Sequence, residues 1–468
     1  MAQLRRTLTV WQAIGLSVAL MAPSMAVNIN PQFMVPSVGR AVPLAFVLAA
    51  VAVLLVAYGF VRLCQYFNHA GSVYAFVGAT LGPRTGVVAG LGLLGTYTLF
   101  AVGTASAAGN FGTAFLQVIG VWPAPPSWAP FLLAGLAMVL GLWLTVVPAR
   151  RGTNFVLVVE VVTVALILLV SVIVFVRLVS SARVSFEVFT LSPDVGGSSL
   201  FLGVVYAFLS FAGFEAAATL GEETTQPRRA IPRAILGTAL FGGVFFVVVT
   251  AVSMMAFGDP AAFGSSSAVV GDLGRSFVGG WVGELITLGA CVSAFGCMLA
   301  CIVGASRLLF ALSRDGFGSR GLGVTSGAGT PGRAAAVVAA VGLVLIVGSA
   351  LVFGATVFDM VAWYGAIGTL ILLVAYLLTT LGAIRLVFVQ RLMDVPRWQV
   401  VIPVAAIVVL GYTLYRNVIP YPTEGPARWL PVVAGGWLLL SVVVVLLAPA
   451  LTRRVGERLV DVRETAAD

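Results

Sequence analysis

The chain has 468 residues, 60% of them hydrophobic and only 9% charged, with a mean hydropathy of +1.08. Soluble domains carry about a quarter charged residues, so a single soluble core is excluded, and apolar runs near the spanning length of ~20 residues recur from end to end. The net charge of +9 comes from arginine alone, with no lysine, and the arginines fall between the apolar runs as topology signals do, which argues against a nucleic-acid partner.

Twelve apolar segments are predicted, at 10–32, 41–66, 84–118, 128–148, 153–177, 198–220, 233–257, 278–311, 334–354, 357–386, 399–416 and 429–449. Gaps such as "GPRTG", "PARRG", "QPRRAIPR" and "SRDGFGSRG" separate them. The segments are read as helices because an open strand edge cannot face lipid. The fold class is therefore an all-α polytopic membrane protein with 12 transmembrane helices. Arg5 and Arg6 precede the first segment without a small-residue cleavage site, so that segment is read as retained.

Polar groups inside a span are costly, so they mark the places to look for function. The first segment contains "LMAPSMAVNINP", with Met21, Ala22, Pro23, Ser24 and Met25 in mid-span. Proline removes a backbone donor and opens the preceding turn. Two readings fit: a plain proline kink, or a helix break whose freed backbone lines a cavity. Asn28 and Asn30 beyond it either line an outer vestibule or cap the helix. His69, near the inner end of the second segment, reads as structural.

Glu160 lies in the fifth segment, about two turns or ~10 Å past Gly152–Asn154. It is a candidate proton carrier or cation ligand, or else a structural hydrogen-bond partner. The sixth segment carries "AFLSFAGFEAAATLGEE", with Ser210, Gly213 and Glu215 among Phe208, Phe211 and Phe214. Small and aromatic residues together suit a weakened helix with a pocket wall, or close helix packing through Gly213. Glu215 at that depth needs a proton or a partner.

Cys291, Cys297 and Cys301 share the eighth segment, and Cys64 sits in the second. Without histidine alongside they do not form a zinc set, so they are read as buried packing. The loop "GFGSRGLGVTSGAGTPGR" lacks the Gly-Lys-Ser/Thr ending of a phosphate loop and reads as a tether. No cofactor, metal or ATPase subunit is expected, and any transport would draw on an ion gradient or the substrate's own.

With the N-terminus inside, twenty of the 26 arginines fall on the inner side; Arg40, Arg177, Arg183, Arg275, Arg416 and Arg428 stay outside. This asymmetry places both termini in the cytoplasm. The two interrupted segments are the first and the sixth. Interruptions at matching positions suggest two five-helix halves with a site between them. The domain reading is one membrane unit over 1–468: halves 10–177 and 198–386, a trailing pair within 399–449, and a cytoplasmic tail 450–468.

"SFAGFEAAATLGEETTQPRRAIPRAI" resembles the sixth-helix signature of the amino acid–polyamine–organocation (APC) family, in its amino acid permease type. "HAGSVYAFVGATLGPRTGVVAGL", "ASRLLFALSRDGFGSR" and "YGAIGTLILLVAYLLTTLGAIRL" resemble its second-to-third, eighth and tenth helices. The resemblance covers about 440 residues by eye, in order and spacing. It implies the LeuT-type fold, with inverted repeats of five helices plus two peripheral ones. It also implies a multi-pass plasma-membrane secondary transporter that moves amino acids by alternating access, not an enzyme.

Carried over, the implied substrate site is Met21, Ala22, Pro23, Ser24, Met25 and Ala26 of the first helix. Leu209, Ser210, Phe211, Ala212, Gly213 and Phe214 of the sixth complete it. Many relatives have Gly-x-Gly where this chain has Pro23-Ser24-Met25. Some place an aromatic residue at the position of Leu209, and leucine there argues for a neutral rather than a cationic substrate. Glu160 falls where some proton-coupled relatives have lysine, so Glu160, Ser293 and Glu215 are the ion-coupling candidates, with H⁺ favoured over Na⁺. Glu222 and Glu223 are candidate inner-gate residues, or solvent-screened ion pairs. A polyamine, organocation or inorganic cation carrier on the same fold is the alternative. A channel or membrane enzyme lacks the motifs it would need. The partners implied are a small amino acid or amine and the lipid bilayer; the oligomeric state is left open.

Overall fold

The computed structural model describes residues 9–67, 72–146, 150–193, 195–220, 224–314, 319–324, 330–422 and 425–449. His69, Glu222, Glu223 and the tail 450–468 lie outside the described residues, as do parts of the glycine-rich tether. Among the described residues the regular elements are all helical. Backbone polar groups in lipid must be satisfied within their own segment, and the helix does this for long Val/Leu/Ala runs.

The first span is a chain of short pieces. Helix α1 (Val10–Met21) starts on a reciprocal capping box, with the Thr9 amide donating to Gln12 Oε1 at 2.8 Å. It stops at Ala22, and α2 (Pro23–Ile29) follows, continued by a 3₁₀ turn over Asn30–Met34. The chain reverses around Gly39, whose φ is +56°, and returns as α3 (Val42–Tyr66). Val10–Tyr66 is one 57-residue helical run among eleven long and apolar enough to cross a membrane. At ~1.5 Å per residue it is far longer than a ~30 Å hydrocarbon core. Divided at the Gly39 turn, it brings the candidate spans among the described residues to twelve.

A short helix α4 (Ser72–Leu81) then precedes the long α5 (Pro83–Val118), followed by α6 (Ala129–Val146) and α7 (Arg150–Ser180). The same order recurs. α8 (Leu200–Phe211) is a span that breaks, α9 (Pro227–Phe257) is continuous, and the short α10 (Val269–Phe277) precedes the long α11 (Gly280–Arg314). α12 (Gly332–Phe353) and α13 (Val357–Ile384) complete this second series. α14 (Val401–Val418) and α15 (Trp429–Leu447) trail behind.

The short α4 and α10 fall outside the predicted segments, and one helix start moves well upstream of its expected place. "QPRRAIPR" is read as an interruption, yet α9 begins at Pro227 and runs through Pro232. Pro227 holds the first helical position, where a missing N–H costs nothing, and Pro232 removes only a bond back to the first turn.

The helices sort into an inner and an outer set. The apolar windows of α5, of the α8 span and of α13 are 67% buried, against 22% for α6 and α14 and 17% for α15. The exposed faces of the outer set are Leu136, Val139, Trp143, Val408 and Leu439, which suits lipid and not water. Polar side chains at the helix ends also meet. Arg40 and Glu187 pair at 2.5 Å, and Tyr58 and Arg62 both donate to Gln399 Oε1.

Candidate functional site

The site is built from the two interrupted spans and the helices that brace them. At the first interruption Ala22 adopts the left-handed conformation, φ 46° and ψ 57°, and its amide still closes α1 on the Val18 carbonyl at 3.0 Å. Pro23 then opens α2 with its φ already set for a helix and no donor to satisfy. The next two amides have lost their intrahelical acceptors. Ser24 N–H donates to Glu160 Oε1 at 2.9 Å and Met25 N–H to Ser293 Oγ at 3.3 Å. Ala26 N–H is already intrahelical, on the Ala22 carbonyl at 2.9 Å.

Glu160 and Ser293 reach these amides because α7 and α11 touch through glycine. A Cβ on Gly289 would lie 2.1 Å from Thr163 Oγ1, and one on Gly296 would lie 2.4 Å from Val156 Cγ1. Between those contacts the same two helices present Glu160 and Ser293. Glu160 and Ser293, two of the three ion-coupling candidates, therefore converge on the first break. Asn28, one turn on, caps a different helix from the one expected. Its Oδ1 accepts from the amides of Val270 and Gly271 at 2.9 and 3.2 Å, at the start of α10.

The second interruption uses glycine. α8 ends at Phe211, Gly213 takes φ +105°, and a 3₁₀ turn covers Ala216–Leu220. A Cβ on Gly213 would stand 2.9 Å from Leu20 Cβ and 3.0 Å from the Met21 nitrogen, so the two breaks press together here. Ala217 N–H donates to Ser17 Oγ at 2.9 Å, tying the 3₁₀ turn to α1. Glu215, buried, accepts from the Tyr376 hydroxyl at 2.9 Å. Tyr376 is itself held edge-on by Phe60 and Phe214.

A cavity of about 30 Å³ lies between the breaks. That is room for no more than a couple of waters. Of the residues named from sequence, Met21, Met25, Leu209, Ala212, Gly213 and Glu215 line it. Ala22, Pro23, Ser24 and Ala26 lie behind the wall and form the break itself. Ser210 is a brace: its hydroxyl donates to the Tyr206 carbonyl at 3.1 Å and accepts from Asn30 Nδ2 at 2.9 Å. Phe211 and Phe214 pack against Phe246 and Phe60.

The sequence reading omits the rest of the lining. Tyr97, Phe100, Gly103 and Thr104 come from α5, and Val361, Gly365 and Leu372 from α13. Each set has helical spacing along one face, which was the available signal. Leu20 lines the cavity as well, and so does Asn30. Cys297 and Cys301, read as packing from their spacing, are buried, unbridged and on the cavity wall. The Cys297 thiol caps the Leu20 carbonyl at 3.1 Å, one of the last acceptors of α1.

The pattern of the amino acid permease family matches residues 24–448. This chain belongs to that family. The permease is 30% identical over 323 residues to the low-affinity putrescine importer PlaP of Escherichia coli (strain K12), covering 67% of this chain and 68% of the relative. It is 25% identical to the branched-chain amino acid permease BcaP of Lactococcus lactis subsp. cremoris (strain MG1363), over 81% of each chain. The Bacillus subtilis (strain 168) BcaP is 26% identical over 59% of this chain and 61% of its own.

Among solved structures, the Eremococcus coleocola manganese transporter superposes with a TM-score of 0.59 at 13% identity, covering 97% of this chain and 98% of that one. That likeness shows the fold, the LeuT-type arrangement that the resemblance implied. The protein is a multi-pass membrane transporter and not an enzyme.

Proposed function

We propose that this permease is a proton-coupled secondary transporter that imports a small amino compound with an apolar body by alternating access. The observation that carries the reading is the cavity walled by both helix breaks. Leu20, Met21, Met25, Phe100, Val361 and Leu372 give it an apolar interior, and no arginine or histidine is among its lining residues. A neutral amino acid, as the branched-chain permeases handle, suits those walls. An amine, as the putrescine importer handles, is the second reading, and the Glu215 carboxylate on the wall favours it. Met21, Ala22, Pro23, Ser24, Met25 and Ala26 with Leu209–Phe214 form the two moving breaks around that substrate.

Glu160 is the proposed proton carrier, and Glu215 a second one. A sodium ion at Glu160 and Ser293 would face the amides of Ser24 and Met25, which present the positive ends of their dipoles. The recurring element order supports two repeats, 10–177 and 198–386, that rock against each other, with α14 and α15 outside. The arginine asymmetry supports both termini in the cytoplasm, beneath the plasma membrane.

Uptake into proteoliposomes tests the function, with labelled neutral amino acids and amines offered under imposed pH or sodium gradients. Accumulation that rises with acid outside, and that loses its pH dependence in Glu160→Gln, is the expected result. Accumulation driven by sodium alone would remove the proton assignment. Uptake of an inorganic cation without any amino compound would remove the substrate class.

A further inference from the structure

An aromatic cover lies over one side of the cavity. Asn30 of the first span, Leu209 of α8 and Val361 of α13 all line the cavity, and each has an aromatic residue three positions away: Phe33, Tyr206 and Phe358. Three residues make a full turn in the 3₁₀ segment Asn30–Met34 and just under a turn in α8 and α13. Each ring thus sits one turn along from a lining residue, on the same helix face. The step runs forward in the first span and backward in the other two, and the rings meet. The Phe33 ring centroid lies 4.7 Å from that of Phe358 and 5.4 Å from that of Tyr206. Phe33 is buried, while Tyr206 and Phe358 are half-buried. In the orientation proposed above, the three rings stand on the outer side of the cavity.

The trio is shared between two bodies. Asn30 Nδ2 donates to Ser210 Oγ at 2.9 Å, which binds the 3₁₀ segment with Phe33 to the helix that carries Tyr206. The polar contacts of α13 at this level point the other way. The Tyr364 hydroxyl donates to the Leu345 carbonyl of α12 at 3.3 Å, and the Ser106 hydroxyl of α5 donates to Met360 Sδ at 3.7 Å. Across the seam the contacts are apolar. Phe33 meets Phe358, and below them Leu209 fills the notch of Gly365, where a Cβ would stand 2.5 Å from Leu209 Cδ2. Such a seam parts and re-forms without stranding a polar group. The other side of the cavity is fastened differently. Four residues past Leu372, Tyr376 is hydrogen-bonded to Glu215 as well as packed on Phe60 and Phe214.

We propose that Phe33, Tyr206 and Phe358 form the outer gate of the transport cavity, which opens where Phe358 of α13 parts from Phe33 while Phe33 and Tyr206 stay together. This rests on the transport reading above and adds to it the place of entry. Phe33 and Phe358 act by covering the cavity, and Leu209 is the inner lip of the same seam.

The test reads access from each side separately. Cys297 lines the cavity, and with Cys64, Cys291 and Cys301 replaced by alanine it is the single thiol of the chain. It is labelled with a membrane-impermeant methanethiosulfonate in right-side-out and in inside-out vesicles, and the label is read by mass spectrometry. Phe33→Ala and Phe358→Ala should each speed labelling from outside by about tenfold, as expected for the loss of one ring contact and its buried area. Labelling from inside should stay unchanged. Phe201→Ala, which removes a ring packed on Tyr412 near the start of α8, should change neither rate. Should an alanine variant fail to fold, Phe33→Leu or Phe358→Leu takes its place, with a smaller rise in the same direction. A second arm combines Phe33→Cys with Phe358→Cys in a chain otherwise free of cysteine. Transport should be lost when the two thiols are oxidised to a disulfide and regained on reduction. Outer labelling no faster than in the parent, labelling raised equally from both sides, or full transport by the bridged protein would each overturn the gate. Those results leave the transport reading standing. That reading falls instead if the unaltered chain carries no amino compound, a result on which the labelling arm does not depend.

Discussion

The two helix breaks solve one problem by different means. At Ala22 the chain turns without glycine: alanine accepts a left-handed φ of 46°, and proline starts the next helix. At Gly213 the turn needs glycine, because a Cβ would collide with Leu20 and Met21 of the first break. The carboxylates differ too. The first break borrows Glu160 from α7, 136 residues away, while the second carries Glu215 two residues past its glycine, braced by Tyr376. Both breaks are thus held by tertiary packing, but only the second carries its glycine and its carboxylate within its own sequence. The lesson is that glycine is required where another backbone comes close, and not merely where a helix stops.

The comparison can be broken most severely at Gly213. Gly213→Ala places a methyl group against Leu20 and the Met21 backbone at a φ that L-residues avoid, and should cost about 3 kcal/mol or more. Thermal unfolding in detergent should show a large loss of stability, with transport abolished; a variant of native stability and rate would contradict the close approach.

Glu160→Ala comes next. It strands the buried Ser24 amide, at a cost of about 1–3 kcal/mol, and should lower the unfolding midpoint more than Glu160→Gln, whose amide oxygen still accepts. Equal midpoints for the two variants would show that the Ser24 contact contributes nothing. Ala22→Gly should have the smallest effect. It relieves a left-handed alanine at ~1 kcal/mol but loosens the unfolded chain by a similar amount. A midpoint within a few degrees of the parent is expected, and a marked loss would mean the alanine methyl is itself a packing group.

The spans were legible because lipid leaves so few options: the twelve predicted runs correspond to the apolar helices among the described residues, with boundaries shifted mainly where Pro227 and Pro232 entered a helix. The breaks were legible as well, through Pro23 and Gly213. The cavity was only half so. Met21, Met25, Leu209 and Gly213 were found because the breaks drew attention to them. Tyr97, Thr104 and Gly365 lie on unbroken helices, and which face of such a helix turns inward depends on the neighbours that cover it. Asn30 shows the limit most clearly. Its Nδ2 donates to Ser210 Oγ, 180 residues away, and no periodicity carries that information.

The central claim is that both breaks close on one transport cavity, and the protein carries its own reporters there. Cys297 and Cys301 line the cavity, whereas Cys64 and Cys291 do not. With Cys64 and Cys291 replaced by alanine, the rate of methanethiosulfonate labelling in proteoliposomes is read by mass spectrometry with and without the transported compound. A saturating transported compound should slow labelling of both remaining cysteines together. Labelling that continues at an unchanged rate while the compound is being transported would place the substrate elsewhere and contradict the account.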